Sequence, residues 1–396
     1  MKGEKKQVSE IIEGRDIICI SPRYWDDAQG ANQHFMKILS RNNNRVLFIE
    51  PPLPYLFTIR HRERWSRWSK LFAFRRGLVQ TSDNLWMTTS PPSLPFKGAF
   101  STMANANRWL ILKWIRRATK QLGFSQPILW LFTPPSVWFI GKLDEDFVIY
   151  HCLDEFTKSP FWAHQRNIVE LERSLLDKAD LVITCSENVY DAKAPWCGEI
   201  INVQNGVDFD HFHSAMDETT PIAPRLNKDG TTIIGFYGTI NYRMDEDFLI
   251  KAARRYPEYR FAIVGPEEQQ LSELRLLPNV MMLGHVALSE LPTFLKGFDV
   301  CLIPYKMSEF VKNVSPLKVY EYLAAGKPVV SPDIRAVRNL KDLILIGHDH
   351  EEMVGLIALA LESNNEEAEK ARVQRARQNT WQHRVAIVSK KISELS

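Results

Sequence analysis

Cysteine is scarce in this 396-residue chain, which has only five, and no two of them form a CxxC pair. Structural zinc sites and redox-active dithiols use closely spaced cysteines, so the spacing argues against both. Most of the five stand in apolar runs such as IICIS and VITCS. We therefore expect buried free thiols in a reducing cytosol. The five are Cys19, Cys152, Cys185, Cys197 and Cys301.

Long apolar runs and metal-ligand motifs are also missing. No stretch approaches the roughly 20 apolar residues of a membrane-spanning helix. The first ten residues are mostly polar, so we expect neither a signal peptide nor a transmembrane helix. The ten histidines form no HxxxH or HExxH motif. Three Asp-x-Asp triplets could hold Mg²⁺ or Mn²⁺, but such triplets arise easily among 47 acidic residues, so we expect no metal and no other cofactor. The triplets are Asp144–Asp146, Asp208–Asp210 and Asp245–Asp247.

The alternation of apolar strands with helical segments favours two doubly wound α/β domains. The length exceeds the ~250–300 residues at which a single core stops growing. Strands such as DIICIS, RVLFIE and PILWLF alternate with helices up to INVQNGVD at 201–208. A linker at 214–230 follows, and TTIIGFYGTI begins a second series. Parallel sheets of this kind bind ligands at the carboxyl ends of their strands.

The most informative segment is NVSPLKVYEYLAAGKPVVSP, residues 313–332. Ser315 can cap a helix, and Pro316 suits its first turn because the missing N–H would have no partner there. Gly326 and Pro328 predict where the helix ends. The free N–H groups and positive dipole end of such a helix suit a phosphate. Glu321 falls on an apolar stripe, where a carboxylate needs a partner.

This segment resembles the signature of the group-1, family-4 glycosyltransferases, and YHCLDEF, DLVITCS and NGVD in the first half add to the resemblance. It implies the GT-B fold: two Rossmann-like, doubly wound parallel-sheet domains that face a central cleft. It also implies an acceptor-side domain at 1–208, a nucleotide-sugar-binding domain at 209–380, and a helix at 381–396 that crosses back to the first domain. Glu321 matches the family's second Glu, which holds the nucleotide ribose.

The chain departs from that family at its charged positions. Asn313 replaces the first Glu, while Thr239 and Met244 stand where the family has Arg and Lys after Gly238. We expect Arg243 and Lys318 to substitute, because a flexible guanidinium can reach a diphosphate from a neighbouring position. The resemblance thus assigns the donor to Gly238, Thr239, Arg243, Gly265, His285, Asn313, Ser315, Leu317, Lys318 and Glu321.

The first domain offers two further predicted sites. His151 and Asp154 in YHCLDEF stand where relatives often place a His near the donor sugar, and either could bind a sugar hydroxyl or assist the acceptor. A packed histidine and a capping aspartate are the alternative. Gln29-Gly30, in the loop after the first strand, replaces the Gly-Gly of relatives and is the predicted acceptor side, although an ordinary turn would also explain it.

Two segments combine basic and aromatic residues. Residues 55–79 hold seven Lys/Arg, one acidic residue and six aromatics, and Arg108–Lys120 holds five basic residues and two Trp. We expect the second to be an amphipathic helix that stops near Gly123. Basic plus aromatic composition favours an anionic membrane surface. Nucleic acid would also suit it, but no recognition motif is present, and a solvated face over a Trp-filled core is the simpler alternative.

The resemblance implies metal-independent transfer of a hexose-type sugar from a nucleotide-sugar donor, a UDP-sugar first, with retention of configuration. The implied acceptor is lipid-linked or a polysaccharide of the cell wall, and the implied location is cytoplasmic, peripheral on the inner face of the cell membrane. One alternative is a catalytically weak, GT-B-like nucleotide-binding or scaffold subunit of a polysaccharide assembly complex. The other is a sugar-nucleotide epimerase or nicotinamide dehydrogenase, although the dehydrogenase fingerprint GxGxxG is missing.

Overall fold

The computed structural model describes residues 11–27, 29–52, 73–92, 101–158, 162 and 167–396. Contacts between residues divide the chain into two compact units. The first unit takes the described chain up to Cys185 together with 189–203 and 384–396, and the second takes 186–188 and 204–383.

The first unit contains a sheet in the order β3-β4-β2-β1-β5-β6-β7-β8. Its neighbouring strands are parallel except for β3, which pairs antiparallel with β4 at the edge. Most strands are buried, as expected where both faces of a parallel sheet are covered. The strands are β1 Asp16–Ile20, β2 Arg45–Glu50, β3 Val79–Ser82, β4 Leu85–Thr89, β5 Ile128–Leu131, β6 Phe147–Cys152, β7 Leu181–Thr184 and β8 Ile200–Asn202.

The helices of the first half follow the apolar periodicity of the sequence. The first helix extends over Ala31–Arg41, and the basic helix expected at 108–120 extends over Ser101–Leu122. That second helix ends before Gly123, whose φ of 63° reverses the chain at no steric cost. The helices are α1 Ala31–Arg41, α2 Ser101–Leu122, α3 Ile168–Lys178 and α4 Glu187–Lys193.

The second unit contains a parallel sheet in the order β11-β10-β9-β12-β13-β14. This order reverses direction between β9 and β12, the kind of position at which open α/β sheets bind ligands. The strands are β9 Ile233–Tyr237, β10 Arg260–Val264, β11 Val280–Gly284, β12 Val300–Leu302, β13 Val329–Pro332 and β14 Leu345–Gly347. The helices are α5 Phe209–His213, α6 Glu246–Arg255, α7 Leu291–Gly297, α8 Leu317–Ala324, α9 His350–Glu362 and α10 Glu366–Arg377. The last helix, α11 Trp381–Leu395, belongs to the first unit from residue 384 onward.

Both halves are therefore the doubly wound α/β structures that the sequence predicts. Helix α9 has a side-chain cap at its start, because Asp349 accepts a bond from the Glu352 N–H at 2.9 Å. The cysteines are free thiols, and only Cys197 is not fully buried. No helix of the described chain is both long and apolar enough to cross a membrane. Most of the basic and aromatic segment 55–79, residues 55–72, lies outside the described residues.

Candidate functional site

Two glycines shape the carboxyl edge of the second sheet. Gly238 follows β9 and Gly265 follows β10, with φ values of 140° and 144° that side chains rarely allow. A Cβ on Gly265 would lie 2.0 Å from the carbonyl oxygen of Gly238, so the two loops can approach only as bare backbone. The Gly238 N–H donates to the Val264 carbonyl at 2.8 Å and fixes this contact. The edge is thereby left open for the side chains that follow.

Helix α8 begins beside these loops, one residue later than the sequence suggests. Pro316 is its N-cap residue rather than part of its first turn, and no side chain caps it. The prediction that Ser315 caps the helix is therefore wrong. The Ser315 backbone carbonyl instead accepts a bond from the Asn205 side chain at 3.0 Å, so the preceding loop holds the helix start. The Val319 N–H donates to the Pro316 carbonyl at 3.4 Å, whereas the N–H groups of the first two residues of a helix have no partner within it.

Two cations gather around Tyr305, just beyond the end of β12. Lys318 Nζ donates to the Tyr305 hydroxyl at 3.4 Å, and the Arg243 guanidinium lies 5.6 Å from the centre of its ring. The Lys318 stem crosses Gly238, where an added Cβ would lie 2.2 Å from its Cε. Arg243 Nε donates to the Asn241 side chain at 3.2 Å. Gly238 and Arg243 from the loop after β9 and Lys318 from α8 therefore meet at one place, around Tyr305.

Glu321 has a hydrogen-bond partner, as a carboxylate at an apolar position requires. It lies one turn after Lys318 on α8, is partly buried, and accepts a hydrogen bond from the Tyr237 hydroxyl at the end of β9. Burial raises the pKa of Glu321, although the Tyr237 bond and the Lys318 charge oppose the shift. Because Tyr237 occupies one oxygen, the carboxylate keeps capacity to accept further bonds.

The other predicted donor residues are spread around this centre. Thr239 and Leu317 are partly buried, at the loop after β9 and at the start of α8. His285 is exposed beyond the end of the edge strand β11. Asn313 is buried and donates from its side chain to the Glu309 carbonyl at 2.5 Å, while Met244 is a core residue. The structure thus brings Gly238, Gly265, Arg243, Lys318 and Glu321 together, and leaves His285 on an exposed edge.

Sequence reasoning missed the two tyrosines that organise the site. Tyr237 and Tyr305 both stand at the carboxyl ends of strands, in GFYGT and LIPYK. Both rings are buried, with 5% exposure each. The available signal was their position, since a hydroxyl at the end of a buried strand lies at the ligand-binding edge of such a sheet.

His151 in the first unit is a packed ring on β6. Its exposure is 2%, and it stacks on Phe132 at 5.2 Å and meets Phe35 edge-on at 5.0 Å. Burial lowers the pKa of His151 to about 3, so the ring is neutral. Its Nδ1 has no hydrogen-bond partner among the described residues. The alternative of a core histidine has direct support here, and a catalytic role for His151 stays a prediction.

Asp154 lies partly buried in the loop after β6, next to a buried charge cluster that the sequence analysis did not identify. Lys193 Nζ donates to Glu155 at 2.8 Å and to Glu172 at 2.7 Å, and all three side chains are at most 6% exposed. Burial opposes ionisation of Glu155, but Lys193 outweighs it and lowers the pKa of Glu155. The cluster ties the loop that carries Asp154 to helices α3 and α4.

The predicted acceptor-side residues lie at the start of α1. The Gln29 side chain accepts a bond from Lys37 Nζ at 2.7 Å, and the Gly30 N–H donates to the Gln33 side chain at 2.9 Å. Gly30 is the N-cap residue of the helix. These contacts describe a well-formed helix start at the carboxyl end of β1, and an acceptor-binding role stays a prediction.

The Asp-x-Asp triplets have other contacts. Asp146 pairs with Arg15 at 2.9 Å, and Asp245 caps α6 through the Phe248 N–H while its other oxygen meets His350 at 2.9 Å. In the part of the chain that the structure describes, no three His, Cys, Asp or Glu side chains are grouped as metal ligands. The metal-independence of the site stays a prediction.

Comparison with known proteins now gives this site a class. Residues 231–363, which include Gly238, Arg243, Lys318 and Glu321, match the family described as Glycosyl transferases group 1. This part of the chain is therefore similar to the group-1 glycosyltransferases, and the two halves have the GT-B fold. The resemblance that the sequence segment 313–332 suggests is confirmed.

Among curated proteins, the chain is similar to TuaH of Bacillus subtilis (strain 168), a protein named for glycosyl transfer in teichuronic acid biosynthesis. The two are 29% identical over 229 residues, which cover 54% of this chain and 57% of TuaH. The match thus spans little more than half of that relative's length.

Solved structures resemble the chain over nearly its whole length. A trehalose-6-phosphate protein from E. coli bound with UDP-2-fluoro glucose aligns with a TM-score of 0.70 and 13% identity, over 96% of this chain and 98% of that one. HepE of Anabaena in complex with UDP aligns with a TM-score of 0.65 and 15% identity, over 96% and 100%. At such identities these likenesses establish the fold alone.

Proposed function

We propose that this protein is a glycosyltransferase that takes its sugar from a nucleotide-sugar donor, with a UDP-sugar as the first candidate. The observation that carries the proposal is the meeting of Arg243 and Lys318 on Tyr305, beside Gly238 and the open start of α8. Two cations and free N–H groups suit a diphosphate. HepE and the E. coli trehalose-6-phosphate protein, which share the fold, are described with UDP or a UDP-sugar bound.

In this proposal each part of the site contacts a different part of the donor. Glu321 accepts bonds from the ribose hydroxyls, and Arg243 and Lys318 neutralise the leaving diphosphate. Gly238, Thr239, Gly265, Ser315 and Leu317 line the phosphates with backbone, and His285 and Asn313 lie toward the ends of the donor. Positive charge from the protein stabilises the leaving group, so no metal is required.

The transfer itself is proposed to retain the anomeric configuration. The glycosidic bond to the diphosphate breaks as the acceptor oxygen attacks the same face, and the donor phosphate takes the acceptor proton. Asp154 or His151 binds the sugar or assists the acceptor, and Gln29-Gly30 contributes on the acceptor side. The similarity to TuaH supports a lipid-linked or polysaccharide acceptor in cell-wall polysaccharide biosynthesis of the teichuronic acid type.

A thermal-shift screen against UDP-, GDP- and ADP-sugars tests the donor assignment. One UDP-sugar is expected to raise the melting temperature, because a ligand that binds only the folded state stabilises it. Lys318→Ala should abolish most of the shift, whereas Lys312→Ala should keep it. Lys312 is the matched control because it lies in the same segment with 53% of its side chain exposed. Equal shifts for both variants, or no shift with any nucleotide sugar, would refute the assignment.

The second candidate is a catalytically weak, GT-B-like nucleotide-binding or scaffold subunit of a polysaccharide assembly complex. It is favoured by Met244, which lies in the core, and by Asn313, whose amide is committed to the Glu309 carbonyl. A donor-hydrolysis assay separates the two. Release of UDP from the stabilising UDP-sugar supports the enzyme, and stable binding without turnover in the presence of lipid-linked or polysaccharide acceptors supports the subunit.

We also propose that the protein attaches peripherally to the inner, cytoplasmic face of the cell membrane through α2. Trp109 and Leu110 on this helix are 56% and 36% exposed, and Lys113, Arg117 and Lys120 are exposed as well. Each basic side chain near an anionic surface contributes ~1 kcal/mol. Trp114 is partly buried instead, and its indole N–H donates to Thr88 at 2.8 Å.

Vesicle co-sedimentation tests this attachment. Wild type should bind vesicles with anionic lipid at low salt and release them at high salt, because the Debye length falls from about 30 Å at 0.01 M to about 3 Å at 1 M salt. A variant with Lys113, Arg117 and Lys120 changed to Ser should bind several-fold less. The matched control changes three exposed basic residues of the second unit to Ser: Lys251, Arg254 and Lys341. Wild type that stays in the supernatant at low salt would refute the proposal.

A further inference from the structure

Tyr305 occupies a fixed position between the two cations of the candidate site. Its backbone pairs with that of Met244 in an isolated antiparallel bridge, and the Lys306 N–H donates to the Arg243 carbonyl at 2.8 Å. The segment after β12 and the segment that carries Arg243 are thus held together by main-chain bonds. Only 5% of Tyr305 is exposed, so its ring has little freedom to move.

The two cations contact different parts of this one side chain. Lys318 Nζ donates to the hydroxyl at 3.4 Å, and the Arg243 guanidinium lies over the ring face, 5.6 Å from its centre. A cation over an aromatic face is attracted by the ring quadrupole. Burial opposes ionisation of Tyr305, yet Lys318 and Arg243 outweigh it and lower the pKa of the phenol. The phenol therefore interacts electrostatically with both cations at once.

We infer that Tyr305 is a positioning residue for the diphosphate of the donor, which it serves by orienting Lys318 through its hydroxyl and Arg243 through its ring. Long basic side chains lose rotamer freedom when they bind an anion, and two like charges repel before the anion arrives. A buried phenol that contacts both reduces the two costs in advance. This inference rests on the proposed function. It deepens that function by naming the residue that holds the two flexible phosphate-binding side chains, Lys318 and Arg243, in place.

Isothermal titration with UDP and with uridine tests the inference, because only UDP carries the diphosphate. Tyr305→Phe keeps the ring and loses the hydroxyl, and should weaken UDP binding by about threefold to tenfold. Tyr305→Leu loses both contacts, and should weaken it by about tenfold to fiftyfold. The uridine dissociation constant of both variants should stay within about twofold of the wild-type value. A variant with a general structural defect would lose affinity for uridine as well.

Tyr237→Phe is the matched control, since Tyr237 is an equally buried tyrosine whose hydroxyl bonds to Glu321 instead. It should change the affinities for UDP and uridine by the same factor. Equal loss of both ligands in Tyr305→Phe, or no change in UDP affinity, would overturn the inference while wild-type UDP binding still supported the proposed donor site. Failure of the wild type to bind UDP would overturn both.

Discussion

Replacing Glu321 by Gln is expected to weaken UDP binding without disturbing the fold. Gln has the same shape and can still accept the bond from the Tyr237 hydroxyl, so the packing of α8 is kept. What disappears is the negative charge toward the ribose hydroxyls. Hydrogen bonds to charged groups contribute about 1.5–3 kcal/mol, which corresponds to a loss of affinity of roughly tenfold to a hundredfold.

The pH dependence of the same site sharpens the test. Burial raises the pKa of Glu321 above that of an ordinary carboxyl group. Uridine is the suitable probe because it has no phosphate that titrates in the acidic range. Its affinity for the wild type should be full above the raised pKa and fall as the pH drops through it, since protonation removes the charge. The Gln variant should show a flat profile over the same range.

Glu309→Gln is the control for this prediction. Glu309 belongs to the same segment, and its side chain is 69% exposed in a pair with Lys312. In titration calorimetry, the dissociation constant of Glu309→Gln for UDP should equal that of the wild type. An unchanged constant in Glu321→Gln, or an equal loss in both variants, would refute the assignment of Glu321 to the nucleotide.

Three further predictions follow from particular contacts. In urea denaturation, Lys193→Met should lower the free energy of unfolding by about 3–5 kcal/mol, because two buried carboxylates lose their counter-charge. The control Lys391→Met removes a partly exposed pair with Glu199, and it should lower the free energy of unfolding by less than about 1 kcal/mol. Equal losses of unfolding free energy in the two variants would contradict a buried ion cluster around Lys193. Gly238→Ala should weaken UDP binding, because a φ of 140° is strained for alanine and the added Cβ, 2.2 Å from Lys318 Cε, would displace that side chain; wild-type affinity in calorimetry would contradict that geometry. Turnover of the nucleotide sugar should survive EDTA, and loss of activity that Mn²⁺ restores would reverse the expectation of a metal-free site.

Local signals in the sequence determined much of the architecture. Strand β1, helices α1 and α9, and the stop before Gly123 follow from apolar periodicity and from capping residues, which act within a few positions. The group-1 signature could also be recognised from the sequence, because the helix with Lys318 and Glu321 and the strand after it form one continuous segment. The start of that helix was misplaced by one residue, since the loop with Asn205 holds Ser315 from a distance of 110 positions.

Only the tertiary structure decided which side chains meet. Tyr305 joins Arg243 and Lys318, and Tyr237 joins Glu321, across 13 to 84 positions of the chain. The same holds for His151, whose packing against Phe35 and Phe132 could not be read from its neighbours in the sequence. Periodicity fixes the face of an element on which a residue lies, whereas the partner across that face depends on strand order. Strand order is set by packing between distant segments, and no local pattern encodes it.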